Sequence, residues 1–311
     1  MPELARINRA SLKHSHNIKI IDLLLLYYRY TSLELDTTPV INFWRTKNII
    51  FPHFLLPKKN GPEWFSTYFP GLVFRKDATD DTELGAKFTD HAPHPKLLRY
   101  KSSDTKKILG NYGLSPGDKF VCLLVRDYKY LSQTFPSLDW SAHDYRNHDV
   151  QRFVLAVNYL TELGYKVFRM GKKVENKLEY RHEFFFDYAF DESQSLLADF
   201  ALWTNCSFAI STSSGIDALA SLNRRPLGII DAVPVNHAHY SSTTVLNYRK
   251  HFFNNEKYLS KNEIIAMGLG GSYYSKEFTD KKVALELSTS LEILNYVKTF
   301  ELNIKNKNYL I

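Results

Sequence analysis

A run of hydroxyl residues closed by glycine is the best candidate ligand site in this 311-residue sequence. It follows an apolar run at 207–210 and precedes a helical pattern at 216–222. A loop between a strand and a helix presents free backbone N–H groups at the positive end of the helix dipole, which attracts phosphate. An ordinary helix cap is the alternative, because Ser and Thr serve that role as well. The run consists of Ser211, Thr212, Ser213, Ser214 and Gly215.

Basic and polar residues also follow the other predicted strands. Arg126 and Arg169 end two apolar runs, where a guanidinium suits bidentate recognition of phosphate. The alternative for each is a structural ion pair, for Arg126 with Asp127. Arg146 and Asn147 precede a helix that Asp149 would cap, so they reach the same edge unless they belong to a solvated loop.

The elements that position these residues alternate between strand and helix, which predicts an α/β fold with a parallel sheet and right-handed crossovers. Ligands of open parallel sheets lie beyond the carboxyl ends of the strands, and the polar residues above stand there. The predicted strands are 119–125, 165–169, 184–187, 207–210 and 226–231. The predicted helices are 150–163, 193–203, 216–222 and 286–298.

The composition of the chain indicates which kinds of ligand to expect. A net charge of +7 and a pI of about 9.1 favour anionic ligands, yet no block of like charges and no nucleic-acid motif occurs. We therefore expect a phosphorylated small substrate or a membrane surface that carries one, and no nucleic acid. Cys122 and Cys206 lie in apolar runs, as small core residues do. No third metal ligand is suitably spaced from His237 and His239, so no metal is expected.

Several function classes lack their motifs. The sequence contains no glycine fingerprint of dinucleotide enzymes, no P-loop lysine and no nucleophile elbow. The N-terminus has no apolar segment of a signal peptide, and the run from Ile20 to Tyr28 is too short to span a bilayer. We expect a cytoplasmic protein, soluble or peripheral at the inner face of an anionic membrane.

The chain resembles a family of bacterial glycosyltransferases encoded among genes for cell-surface polysaccharides such as O-antigen or capsule. The likeness extends from about Lys119 to Asp231 and more weakly from Ile18 to Pro57. It rests on the order and spacing of several segments. These are Phe120-Val-Cys-Leu-Leu-Val-Arg-Asp127, Tyr145-Arg-Asn-His-Asp149, Leu163-Gly-Tyr-Lys-Val-Phe-Arg-Met-Gly171, Asp187-Tyr-Ala189 and Phe208-Ala-Ile-Ser-Thr-Ser-Ser-Gly215.

The resemblance implies a GT-B-like architecture, in which two Rossmann-like domains face a cleft. It implies an N-terminal, acceptor-side domain at 1–105 and a nucleotide-sugar-binding domain at 106–311. The N-terminal domain is expected to be reduced or degenerate, because Ala5-Arg-Ile-Asn-Arg9 replaces the family's usual glycine turn.

By the same resemblance, a nucleotide sugar is the donor, a glycan or lipid-linked molecule is the acceptor, and neither cofactor nor metal is required. The implied donor site contains Arg126, Arg146, Asn147, Arg169, Gly171 and the Ser211 to Gly215 loop. Asp127 and Asp187 are candidate general bases. A nucleotide-sugar epimerase on the same scaffold and a non-catalytic nucleotide-sugar-binding protein remain alternatives.

Overall fold

The computed structural model describes the backbone at 23–26 and 49–52, and residues 103–235, 244–254, 256–272 and 274–306. The chain forms two compact units, Met1–His91 and Ala92–Ile311. In the first unit, strand β1 (Leu23–Leu26) pairs in parallel with β2 (Ile49–Pro52). The altered turn at 5–9 and the pair His237 and His239 lie outside the described residues.

A six-stranded parallel sheet organises the second unit. Its strands are β3 (Phe120–Leu124), β4 (Lys166–Met170), β5 (Phe185–Phe186), β6 (Phe208–Ser211), β7 (Leu227–Ala232) and β8 (Thr244–Tyr248). The spatial order is β5-β4-β3-β6-β7-β8, with every pairing parallel. Consecutive strands run outward from β3 on one side and from β6 on the other. This is the Rossmann order, and its topological switch point lies between β3 and β6.

Helices cover both faces of this sheet. The helices of the described residues are, in chain order, α1 (Ser103–Asn111), α2 (Lys129–Thr134), α3 (Val154–Glu162), α4 (Leu196–Asn205), α5 (Ala218–Leu222), α6 (Lys261–Ala266), α7 (Ser275–Thr279) and α8 (Ser290–Lys305). Successive residues of a strand point to opposite faces. Val121 and Leu123 therefore join the core under α3 and α8, whereas Cys122 and Leu124 join the core under α4. The α/β class and the parallel sheet are confirmed.

Local signals explain where the helices begin and end. The Asp149 carboxylate accepts a hydrogen bond from Gln151 N and caps a 3₁₀ turn, Val150–Phe153, that leads into α3. Gly164 follows α3 with φ of +82°, a conformation that glycine adopts without strain. The predicted helix at 193–203 begins later, at Leu196, because Ser195 is its cap.

The stretch from Asp127 to Asp149, which lies between a predicted strand and a predicted helix, contains α2 and a 3₁₀ segment, Ser141–Arg146. The sequence pattern also missed a three-stranded antiparallel sheet near the C-terminus. The helix predicted from Glu286 begins at Ser290 instead, because Glu286 belongs to a strand of that sheet. The strands are β9 (Lys250–Phe253), β10 (Lys257–Tyr258) and β11 (Val283–Glu286).

Candidate functional site

Two hydrogen bonds connect the ends of β3 and β6 at the switch point between these strands. The N–H of Arg126 donates to Thr212 Oγ1 at 2.9 Å, and the N–H of Thr212 donates to Leu124 O at 3.1 Å. These bonds hold the first residues beyond the two strands side by side. The carboxyl edge thus brings Arg126 next to the predicted Ser211 to Gly215 loop.

A second arginine reaches this loop from the 3₁₀ segment. Arg146 Nη2 donates to Ser213 O at 3.0 Å. Arg126 Nη1 donates to Asn147 Oδ1 at 3.0 Å and, over a longer distance of 3.5 Å, to His143 O. Arg126, Arg146, Asn147 and the hydroxyl loop therefore form one cluster at the switch point, which we call the switch-point cluster.

The switch-point cluster holds two guanidiniums, those of Arg126 and Arg146. Among the described residues no carboxylate lies within ion-pairing distance of Arg126 or Arg146. Burial, followed by the positive charge of Arg146, lowers the pKa of Arg126 to about 10. Arg126 is still protonated at neutral pH, so two like charges are held together in a partly buried place. An anion bound there would relieve both the repulsion and the desolvation.

The hydroxyl loop itself is organised differently from the predicted phosphate cradle. Ser213 has φ of +69°, and its N–H donates to Ser211 Oγ at 3.1 Å. The N–H of Ser214 and the hydroxyl of Ser211 donate to Asp217 Oδ2 at 2.8 and 2.7 Å. The amides of Ser213 and Ser214 are therefore bonded within the loop. Gly215 is exposed, and a Cβ there would meet no atom within 4 Å.

Asp217 is a member of this site that the sequence analysis missed. Burial raises the pKa of its carboxyl to about 6, against the lowering effect of the Ser214 N–H and the Ser211 hydroxyl. A serine followed three residues later by an acidic residue is the signature of a capping box, and Ser214 and Asp217 have that spacing. The signal was thus present in the sequence.

Arg169 and Asp187 form a separate cluster at the end of β4. Arg169 is 1 % exposed, and its Nη1 donates to Asp187 Oδ1 at 3.1 Å. Its guanidinium also lies 5.7 Å from the ring centroid of Phe190. Asp187 Oδ2 accepts from Leu178 N at 3.2 Å. Arg169, which the resemblance implies as a donor-binding residue, is therefore paired with Asp187, a candidate general base.

Gly171 and Asp127 also have structural partners. Gly171 has φ of +150°, and a Cβ there would lie 2.6 Å from Val174 Cγ1. Both the backbone conformation and the packing thus require glycine. Asp127 accepts hydrogen bonds from Lys129 N at 2.9 Å and Glu175 N at 2.8 Å, one on each oxygen. It ties the segment after β3 to the segment after β4.

A buried polar network supports the switch-point cluster. His148 N donates to Arg126 O at 2.9 Å, and Nδ1 of the same residue lies 2.9 Å from Arg146 O. Burial lowers the pKa of His148, which favours the neutral ring. Nδ1–H then donates to Arg146 O, and Nε2 accepts from Arg249 Nη2 at 3.0 Å. Asp231, at the end of β7, lies 3.2 Å from Nε2 and accepts from the Ser288 hydroxyl at 2.7 Å.

Two larger features are absent from the described residues. No cluster of three His, Cys, Asp or Glu side chains in that part of the chain is arranged to hold a metal ion. No helix of the same part combines the length and apolar character needed to cross a membrane.

Comparison with known proteins gives one distant likeness. No protein-family model and no curated protein matches the chain. Among solved structures, a glycosyl transferase family 9 protein from Veillonella parvula DSM 2008 aligns over 96 % of this chain and 79 % of its own, with 13 % identity and a TM-score of 0.40. Nothing about the substrate or the site residues of this chain follows from so distant a likeness.

Proposed function

We propose that the protein is a glycosyltransferase that binds a nucleotide-sugar donor at the switch-point cluster without a metal ion. The observation that carries this proposal is the pair Arg126 and Arg146. Both guanidiniums stand at the topological switch point of a Rossmann-ordered sheet, and neither has a carboxylate partner among the described residues. Sheets of this order bind nucleotides at that position, and paired guanidiniums suit a diphosphate.

The proposed reaction moves a sugar to a hydroxyl group of a glycan or lipid-linked acceptor. The acceptor oxygen bonds to the anomeric carbon, the bond from that carbon to the diphosphate oxygen breaks, and the nucleoside diphosphate leaves with the electron pair. Arg126 and Arg146 would stabilise the negative charge that develops on the leaving group. Fixed cations would supply the stabilisation that a metal ion provides in other enzymes.

The proton of the acceptor hydroxyl needs a base, or passes to the leaving diphosphate. Asp127 receives two backbone N–H groups, and Asp187 receives Arg169 and a backbone N–H. Because these contacts give both carboxylates a structural role, we assign to the described residues only the leaving-group side of the reaction. The net charge of +7 would favour an acceptor held at an anionic membrane surface.

The first test is a thermal-shift screen of the full-length protein with UDP-, GDP-, CMP- and dTDP-sugars in the presence of EDTA. A donor at about 100 times its dissociation constant should add about 2.7 kcal/mol of stability. No shift with any nucleotide would contradict the proposal.

The second test measures nucleoside diphosphate released by the purified protein, with and without glycan and lipid-linked acceptors. Arg126→Ala should abolish turnover, and Arg126→Lys should restore little because a lysine lacks the planar fork. The control is Arg181→Ala, which removes an equal charge from an exposed residue of the β4–β5 connection. Unchanged turnover in Arg126→Ala would refute the role of Arg126. Epimerised nucleotide sugar would identify the epimerase, and binding without turnover would identify the non-catalytic alternative.

A further inference from the structure

A pocket of about 400 Å³ lies in the segment that follows β3. This volume is within the range of about 300 to 1,000 Å³ that is typical of small-molecule sites. All of its lining comes from α2, the 3₁₀ segment and the residues beside them. The lining residues are Tyr128, Ser132, Pro136, Leu138, Asp139, Trp140, Ser141, Asp144 and Asn147.

The described lining residues combine apolar surface with carboxylates, and none of them has a basic side chain. Tyr128 and Leu138 are each 48 % exposed, so both present accessible apolar surface to a ligand. Asp139 and Asp144 contribute negative charge. A phosphate would be repelled here, whereas a neutral ring with both apolar and hydroxyl groups matches the lining.

The Trp140 ring is held in a fixed orientation. Its Nε1–H donates to Phe135 O at 3.1 Å, and its ring centroid lies 6.0 Å from that of Phe135 and 6.2 Å from that of His143. A rigid aromatic group provides contact area with little loss of conformational entropy on binding. The C–H face of a pyranose is a suitable partner for such a ring.

The two carboxylates are suited to accept hydrogen bonds from sugar hydroxyls. Asp139 Oδ1 accepts from Ser141 N at 2.9 Å, and that N–H lowers the pKa of the carboxyl. Asp144 Oδ1 accepts from Asn147 Nδ2 at 3.0 Å. An ionised carboxylate has about four lone-pair sites, so each group can receive further O–H donors from a ligand.

Asn147 joins this pocket to the switch-point cluster. Its Oδ1 accepts from Arg126 Nη1, and its Nδ2 donates to Asp144 Oδ1, both at 3.0 Å. One amide side chain therefore separates the Arg126 guanidinium from the acidic, aromatic pocket. A sugar diphosphate has the same order of groups, since its charged phosphates are joined to a neutral ring by one oxygen atom.

We propose that this pocket is a pyranose-binding subsite, in which Trp140 supports the apolar face of the ring and Asp139 and Asp144 accept its hydroxyl groups. This inference rests on the proposed function, because a donor sugar would enter the pocket as part of a nucleotide sugar bound at the switch-point cluster. The same chemistry would also hold a sugar of the acceptor, and the experiment below distinguishes the two sources.

The donor arm compares UDP-glucose, UDP-N-acetylglucosamine, GDP-mannose and dTDP-rhamnose with UDP, GDP and dTDP by isothermal titration calorimetry on the full-length protein. The sugar should tighten binding about 10-fold for its own nucleotide. Trp140→Ala and the pocket-filling variant Ser132→Trp should remove this gain, whereas Trp140→Phe should keep most of it. Binding of the nucleoside diphosphate alone should not change. Tyr258→Ala, which removes an exposed aromatic side chain of β10, is the control.

The acceptor arm measures binding of methyl glycosides of glucose, galactose, mannose and N-acetylglucosamine by saturation-transfer NMR. A glycoside that needs Trp140 and is displaced by the nucleotide sugar places the donor sugar in the pocket. A glycoside that needs Trp140 and binds beside the nucleotide sugar places the acceptor there. If Trp140→Ala and Ser132→Trp bind both the nucleotide sugars and the methyl glycosides as tightly as the wild type does, the proposed subsite is refuted. Failure of every nucleotide to bind would instead refute the proposed function. The glycoside measurements would still show whether the pocket binds a sugar.

Discussion

Arg126 and Arg169 both end apolar runs in the sequence, yet their guanidiniums have different charged neighbours in the structure. Both occur at the carboxyl ends of adjacent strands, β3 and β4. Arg169 is buried against Asp187, whereas Arg126 lies beside a second arginine, Arg146. An arginine at a strand end is therefore not by itself evidence for a phosphate site. The informative feature is a partly buried guanidinium that forms no direct ion pair among the described residues.

The two clusters also differ in what they can contribute. The pair at the end of β4 neutralises itself and fixes the connection that follows that strand. The switch-point cluster carries two positive charges and stands where nucleotides bind in sheets of this order. We therefore expect changes in the first cluster to alter stability and changes in the second to alter ligand affinity.

The largest effect should come from Arg169→Ala. Removing the guanidinium leaves the Asp187 carboxylate without its ionic partner, which should lower the free energy of unfolding by about 3 to 5 kcal/mol. Urea denaturation measures this change. The double variant Arg169→Ala/Asp187→Ala should recover part of the loss, because it removes the orphaned charge. A loss below about 1 kcal/mol in the single variant would show that the pair has no structural role.

The two glycines of the predicted donor site should respond in opposite ways. Gly171→Ala should cost about 2 to 3 kcal/mol, because its Cβ would meet Val174 Cγ1 at 2.6 Å with φ of +150°. Gly215→Ala has open space around its Cβ and should change stability by less than about 0.5 kcal/mol. Thermal or urea unfolding of the two matched variants provides the measurement. Equal losses in both would contradict the different packing of the two glycines.

A smaller, pH-dependent effect should come from Asp217. Its pKa in the folded protein is about 6, above the ordinary value of 3.8, so the folded state binds the proton more readily than the unfolded chain. The contribution of Asp217 to stability should thus rise as pH falls through 6, by about 1 kcal/mol between pH 7.5 and pH 5. The difference in unfolding free energy between the wild type and Asp217→Asn isolates the pH-dependent contribution of Asp217. A difference that stays constant over that range would exclude a raised pKa.

Much of the sheet could be predicted from the sequence because its strands are apolar on both faces. Runs such as 120–124 stand out without any periodicity, and parallel strands must bring their carboxyl ends to one edge. That rule predicts from the sequence alone that Arg126 and the Ser211 to Gly215 loop lie at the same edge of the sheet. The short strands β9 to β11 escaped prediction, because two to four residues are too few to show an alternating pattern.

The partners of the site residues could not be predicted in the same way. Arg169 and Asp187 are 18 residues apart, and only the pairing of β4 with β5 brings them together. The amides of Ser213 and Ser214 have partners within their own loop, a detail set by the side-chain conformations of Ser211 and Asp217. Spacing identifies which residues reach an edge of the sheet, but it does not determine which of them are neutralised there.

The central claim is that the switch-point cluster, and not the pair at the end of β4, binds the diphosphate of a nucleotide sugar. The most direct test is calorimetric titration of the best nucleotide sugar from the thermal-shift screen into the wild type, Arg126→Ala, Arg146→Ala and folded Arg169→Ala. Affinity should fall about 30- to 100-fold, or about 2 to 2.7 kcal/mol, in the first two variants. It should stay within about threefold in Arg169→Ala. Loss of binding in Arg169→Ala with unchanged binding in Arg126→Ala and Arg146→Ala would contradict the claim.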